Sequence, residues 1–223
     1  MIRMYQEADN QLTKIHSFLK REALHLDNTG FDELHTVSVK TVTVRLMKKL
    51  KKKNKSAFMI CALLAYQDAI KVANQKGWKG KGDDLTEAWL LGYLDSYNYV
   101  TGYLYEPEAE RKRLRLSEAI NTAMNFKDRN LYKKEVKRFF NLWWTQTNQY
   151  MIGVVDHAET KAWEDLGVEY ARWVTAKDEK VCGDCKPLDG QIFPLDKFPE
   201  KPHYNCRCRK VPMPKGWKPN SES

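Results

Sequence analysis

Apolar residues recur every three or four positions along most of this chain. Between Tyr5 and Leu26 they fall at Ala8, Leu12, Ile15, Leu19, Ala23 and Leu26, the spacing that turns one face of an α-helix into a core. Asp27-Asn28-Thr29-Gly30 reads as the break that ends this helix. From Phe31 to Lys53 the β-branched Val37, Val39, Val42 and Val44 would also suit a strand, but the run is long and its neighbours are helical, so a helix is expected. Ser56 to Gln75 is a strongly apolar helix stopped by Gly77, a residue suited to the left-handed position after a helix. Beyond the loop Trp78–Gly82, Asp83 or Asp84 can cap a helix from Leu85 to Tyr105. Pro107, followed by Glu108 and Glu110, opens a further helix. A long helix runs from about Asn130 to Leu166 and stops at Gly167.

After Gly167 the pattern changes. Glu169 to Thr175 is short and strand-like, most of the prolines follow, and Leu188-Asp189-Gly190-Gln191 signals a hairpin. The expected architecture is mainly α: a helical bundle over residues 1–168, a small C-terminal α+β module of short antiparallel strands over 169–215, and a flexible tail over 216–223.

Composition narrows the class. Of 223 residues 42% are hydrophobic, which excludes an intrinsically disordered chain. The longest apolar run, Ala57 to Tyr66, has ten residues, whereas a membrane-spanning helix needs about 20. The first residues, Met1 to Glu7, hold no apolar signal core. A soluble, non-exported protein with reduced thiols and no membrane partner is expected.

The net charge of +9 favours polyanions or acidic protein surfaces. It is clumped. Lys48, Lys49, Lys51, Lys52, Lys53 and Lys55 have no acidic neighbours in sequence and are the better candidates for a phosphate or acidic-partner contact. Arg111, Lys112, Arg113 and Arg115 follow Glu106, Glu108 and Glu110 and can pair with them on a solvated helix face.

The chemistry gathers near the C-terminus. Cys61 sits alone in an apolar run and reads as a small buried hydrophobe. The other four cysteines lie in Cys182-Gly183-Asp184-Cys185 and, 17 residues later, His203-Tyr204-Asn205-Cys206-Arg207-Cys208. A module of about 50 residues buries too little apolar area to hold itself together, so a staple is expected. Structural Zn2+ supplies one through paired thiolates. Five donors compete for four seats. The preferred set is Cys182, Cys185, His203 and Cys208, with Cys206 as the alternate. Residues one apart in an extended strand share a face, so Cys206 and Cys208 can both reach the ion. A disulfide pair and metal-free thiols are the competing readings. Four ligands would leave no seat for a catalytic water, which points away from an enzyme.

Other chemistry fits less well. His203 and Asn205 suggest a nuclease of the His-Asn-His type, but no following helix supplies the further His or Asn it needs. Cys182-x-x-Cys185 lacks the βαβ context of a redox motif, and Gly77, Gly80 and Gly82 lack that of a phosphate loop. Trp143 and Trp144, with Phe139, Phe140 and Tyr150, read as core or a helix–helix interface, and His157 as a helix-surface residue. Arg207, with Arg209 and Lys210 nearby, is either held by local carbonyls and carboxylates or free to meet a DNA phosphate.

Trp173-Val174-Thr175, Asp178-Glu179-Lys180-Val181-Cys182-x-x-Cys185, Leu188-Asp189-Gly190-Gln191-Ile192-Phe193, Pro202-His203-x-Asn205-Cys206-Arg207-Cys208 and Val211-Pro212 follow a recognisable order. Over residues 130–213 this resembles the C-terminal domain of phage minor head, or head morphogenesis, proteins of the phage Mu protein F type. In that family an Arg-Thr-Glu-like triplet ends the preceding helix; here the matching stretch Asp156–Thr160 keeps only Glu159.

The resemblance implies a virion protein of few copies, made in the host cytoplasm and found at the portal vertex and capsid interior. It implies a part in head assembly and in DNA packaging or ejection. Its partners would be the portal protein, other capsid proteins and, as a further candidate, packaged double-stranded DNA. No catalysis and no small-molecule substrate are implied. The alternative is a zinc-containing nucleic-acid-binding module without a virion role.

Overall fold

The computed structural model describes residues 3–33, 39–81, 92, 105–177, 179, 181–202 and 206–219. Among them are four long helices, α1 (Arg3–Glu33), α2 (Val39–Gln75), α3 (Tyr105–Asn125) and α4 (Arg129–Asp165). Three short strands follow, β1 (Tyr170–Val174), β2 (Ile192–Pro194) and β3 (Arg209–Pro212). The protein is mainly helical with a small antiparallel sheet near its C-terminus, as the hydrophobic pattern implies.

Two expected boundaries move. α1 continues through Asp27-Asn28-Thr29-Gly30 to Glu33. A single glycine costs a helix only about 1 kcal/mol, less than a packed helix can absorb. The valine-rich stretch is helical from Val39 and joins the apolar segment after Ser56 in one helix, α2. Most of the helix expected over Leu85–Tyr105, and the residues Asn220–Ser223 of the expected tail, lie outside the described residues.

Helix ends follow local chemistry. Gly77 (φ 89°) and Gly167 (φ 72°) take the left-handed position. In each case the next residue's N–H reaches back five positions, Trp78 to the Ala73 carbonyl at 3.1 Å and Val168 to that of Trp163 at 2.9 Å. Asp128 caps α4, its Oδ1 accepting from the N–H groups of Asn130 and Leu131 at 2.9 and 3.0 Å.

The chain forms two compact units. One takes Tyr5–Cys61 and Thr86–Val154, and the other takes Ala62–Leu85 and Val155–Ser223. In the first, Leu12, Ile15, Phe18 and Leu19 of α1 are buried, as are Leu46, Leu50 and Phe58 of α2. Leu116 and Ile120 of α3 and Val136, Phe139, Phe140 and Trp143 of α4 complete this core. Two polar links cross it: Asn54 Nδ2 donates to Thr147 Oγ1 at 3.2 Å, and the Tyr132 hydroxyl to the Leu26 carbonyl at 2.7 Å. In the lysine run of α2, Lys48, Lys49, Lys52 and Lys53 are exposed while Leu50 and Asn54 point inward. Lys49 meets an acid in space that it lacks in sequence, Glu22 at 3.4 Å.

In the second unit the sheet order is β2-β1-β3, both pairs antiparallel. Ala171 and Trp173 of β1 face inward and Arg172 outward. The expected hairpin is a turn with a 3-10 segment, Lys186–Leu188, on its near side, so β2 pairs with the more distant β1. Pro187 near the start of that segment lacks the N–H a ladder needs. The helical residues of this unit are tied into it. Trp163 Nε1 donates to the Ala69 carbonyl at 3.0 Å, Trp78 Nε1 to that of Met213 at 2.7 Å, and the Lys215 N–H to that of Lys76 at 2.9 Å.

By length and composition α2 includes a stretch, Val44–Gln75, apolar enough to cross a membrane. Its Ala57, Phe58, Cys61, Ala62, Ala65 and Ala69 are buried in protein, the signature of a core helix.

Candidate metal centre

The turn Cys182–Cys185 is held by its own backbone. The Cys185 N–H donates to Cys182 Sγ at 3.3 Å, and the Lys186 N–H to the Cys182 carbonyl at 3.2 Å. Cys206 and Cys208 lie in the extended segment that leads into β3. Both are buried and Arg207 between them is exposed, the alternation expected of an extended strand. The Sγ atoms of Cys185, Cys206 and Cys208 lie within 4.8 Å of one another, with Cys185 and Cys206 3.6 Å apart. Trp173 forms the core of this cluster with the three thiols, and Val181, Cys182, Leu188, Phe193 and Phe198 pack against it. The Trp173 and Phe198 rings stack at 5.7 Å.

This donor set fits a thiophilic ion. All five cysteines are free thiols. A tetrahedral centre with metal–sulfur bonds of about 2.3 Å has sulfur–sulfur edges of about 3.8 Å, close to the Cys185–Cys206 separation. Burial, and then the neighbouring thiols, push the Cys185 thiol up, and burial does the same for Cys206. Protonated thiols in an apolar pocket are what a bound cation would deprotonate. Cys185, Cys206 and Cys208 could therefore hold a metal ion.

Of the expected ligands, the structure gathers three and brings Cys182 against them. Cys206, ranked as the alternate, is inside the tight group, and His203 lies outside the described residues. Cys61 is a buried lone thiol whose pKa burial pushes up to about 12.

A second feature, the meeting of Glu159 with Lys210, was not legible in the sequence. Glu159 on α4 is buried, and its Oε2 has no hydrogen-bond partner. Lys210 of β3 turns its ammonium inward, donating to the Asp156 carbonyl at 2.9 Å and to Thr160 Oγ1. Lys201 pairs with Asp156 at 3.0 Å. Burial, then Asp156, raises the Glu159 carboxyl to about 7, against the pull of Lys210, Lys201 and Arg209. Lys210 is thus engaged with α4. The available hint was that Glu159 is the residue kept from the family's triplet, with Asp156 and Thr160 beside it.

Residues 113–211 match the family model described as Phage Mu protein F like protein. The match covers the second half of α3, all of α4, Glu159 and both cysteine pairs, and it begins earlier than the motif order alone indicates. No curated protein and no solved structure matches the chain.

Proposed function

From the match of residues 113–211 to the family model described as Phage Mu protein F like protein, we propose that this chain is a structural minor head protein, or head morphogenesis protein, of a phage particle. It is made in the host cytoplasm and assembles at the portal vertex and capsid interior. There it contacts the portal and other capsid proteins and assists head assembly and DNA packaging or ejection. Its role is adhesive, not catalytic. Residues 1–168 form the gripping body, 169–215 the stapled module and 216–223 a tail. The lysine run of α2 neutralises packaged DNA or an acidic partner surface.

The observation that carries this reading is the meeting of three buried thiols inside the family segment. Zn2+ would cross-link the module there, held by Cys185, Cys206 and Cys208 with Cys182 or His203 as the fourth ligand. The residues themselves bring two distant stretches of chain together and exclude water from the thiols through Trp173 and Phe198.

Four measurements test the proposal. Elemental analysis of the purified chain should give about one zinc per molecule. Mass spectrometry of purified particles should find the chain in low copy, and particles made without it should package or eject DNA poorly. Complete, infectious particles that lack the chain would refute the head role. Salt-sensitive DNA binding without any portal contact would favour a nucleic-acid module instead.

A further inference from the structure

In the helical unit α1 and α4 part to leave an open groove of about 470 Å3. Its floor is apolar, made by Leu19, Ala23 and Leu24 of α1 with Phe140 of α4. Leu24 is 60% exposed, a large apolar side chain that this unit does not cover. The rim is cationic, with Lys20 on α1 and Lys133, Lys134 and Lys137 on α4, all four exposed. Asp27 is the sole carboxylate among the residues that line it, and Lys133 acts on it. His16 and Trp144 also line the groove, their rings stacked at 4.2 Å.

We propose that this groove docks an acidic amphipathic helix of a partner protein, its apolar face on the floor and its carboxylates against the lysine rim. Two features select that chemistry. Four ammonium groups against one carboxylate call for an anionic partner, and charge complementarity of this kind steers association. The apolar floor calls for side chains that fill it, which a helix supplies at i, i+3, i+4 and i+7. Duplex DNA would satisfy the lysines and leave the leucines facing sugar and phosphate. Splayed bases could use Trp144, but His16 already covers one of its faces.

The assignment does not depend on the metal centre. It goes beyond the family reading, because α1 lies outside residues 113–211 and supplies half the groove. The partner helix is thus read by a surface that the family domain does not build alone.

The test is fluorescence anisotropy on the full chain. The probe is a labelled peptide with leucine at helical spacing and glutamate on the flanking positions. Its sequence-scrambled version and a short DNA duplex serve as comparators. Two variants, Lys133→Glu/Lys137→Glu and Leu24→Glu, change only exposed positions, and circular dichroism verifies their fold. The peptide should bind in a salt-sensitive manner, the scramble at least about tenfold more weakly, and each variant should lose at least about tenfold. No binding by the folded chain, equal binding of the scramble, or unchanged binding by both folded variants would overturn the proposal. A duplex that binds more tightly than the peptide and is lost in the lysine variant would also overturn it, in favour of a nucleic-acid surface.

Discussion

In the helical unit α2 and α4 bury Leu46, Leu50, Phe58, Val136, Phe139 and Trp143, side chains whose apolar area does the stabilising. Farther along the same two helices, in the unit that carries the cysteine pairs, six alanines, Ala62, Ala65, Ala69, Ala73, Ala158 and Ala162, are buried beside Tyr66, Ile70, Val155 and Trp163. Small side chains leave room for indoles, and two of them are hydrogen-bonded: Trp163 to the Ala69 carbonyl and Trp78 to that of Met213, while the buried Trp173 Nε1 has no partner. The remaining order comes from clustered thiols and a buried acid–base group. The first unit spreads its stability over many interchangeable contacts. The second concentrates it in a few groups, each of which matters individually.

The contrast can be broken at several points. The largest effect is expected from Cys185→Ser. If the thiols hold zinc, on the order of 10 kcal/mol of coupled folding free energy is at stake. Limited proteolysis read by mass spectrometry should show residues 170–213 becoming labile while most helical ellipticity survives. Retained resistance would mean that packing alone holds the module.

Next come Trp173→Ala and Trp143→Ala, each expected to cost about 3–5 kcal/mol. Urea unfolding with hydrogen exchange should locate the first loss in the strands and the second in the helical core. Loss of protection in both places from either variant would erase the distinction.

Glu159 gives a pH dependence with a definite sign. Its folded pKa is raised, so the folded state holds the proton more tightly, and this contribution is complete below the ordinary carboxyl value near 4.5. It is lost as pH rises through about 7, for a total on the order of 3 kcal/mol. Thermal melts from pH 5 to 8 should show the decline, and Glu159→Gln should flatten it. The smallest change is Tyr132→Phe, which removes the hydroxyl bond to Leu26 in the helical unit. It should lower stability by about 1 kcal/mol, measured by the same melts.

Local rules were readable in the chain itself. The period of α4, the left-handed glycines after Gln75 and Leu166, and the shared face of Cys206 and Cys208 all depend on neighbours within a few residues. What depended on distant chain was not. The break expected at Asp27–Gly30 is overridden by the packing of a long helix. The pairing of β2 with β1 passes over the nearer segment because Lys186–Leu188 coils instead of extending. Cys206 ranked behind its neighbours because spacing alone cannot say which thiols share a pocket. Glu159 and Lys210 lie 51 positions apart, and no periodicity links a helix residue to a strand residue that answers its charge.

The tie between the end of α2 and the residues after β3 has a consequence for synthesis. The Ala62–Trp78 stretch leaves the ribosome well over a hundred residues before Met213 and Lys215, which bond to Trp78 and Lys76 at its end. At about 5–20 residues per second this is a wait on the order of ten seconds. During it Lys76 and Trp78 lack the partners they have in the folded chain. The residues of the helical unit are all made by Val154, whereas the other unit must wait for those that follow. Synonymous changes that slow translation between residues 155 and 213 should lengthen that wait and raise aggregation without altering one amino acid.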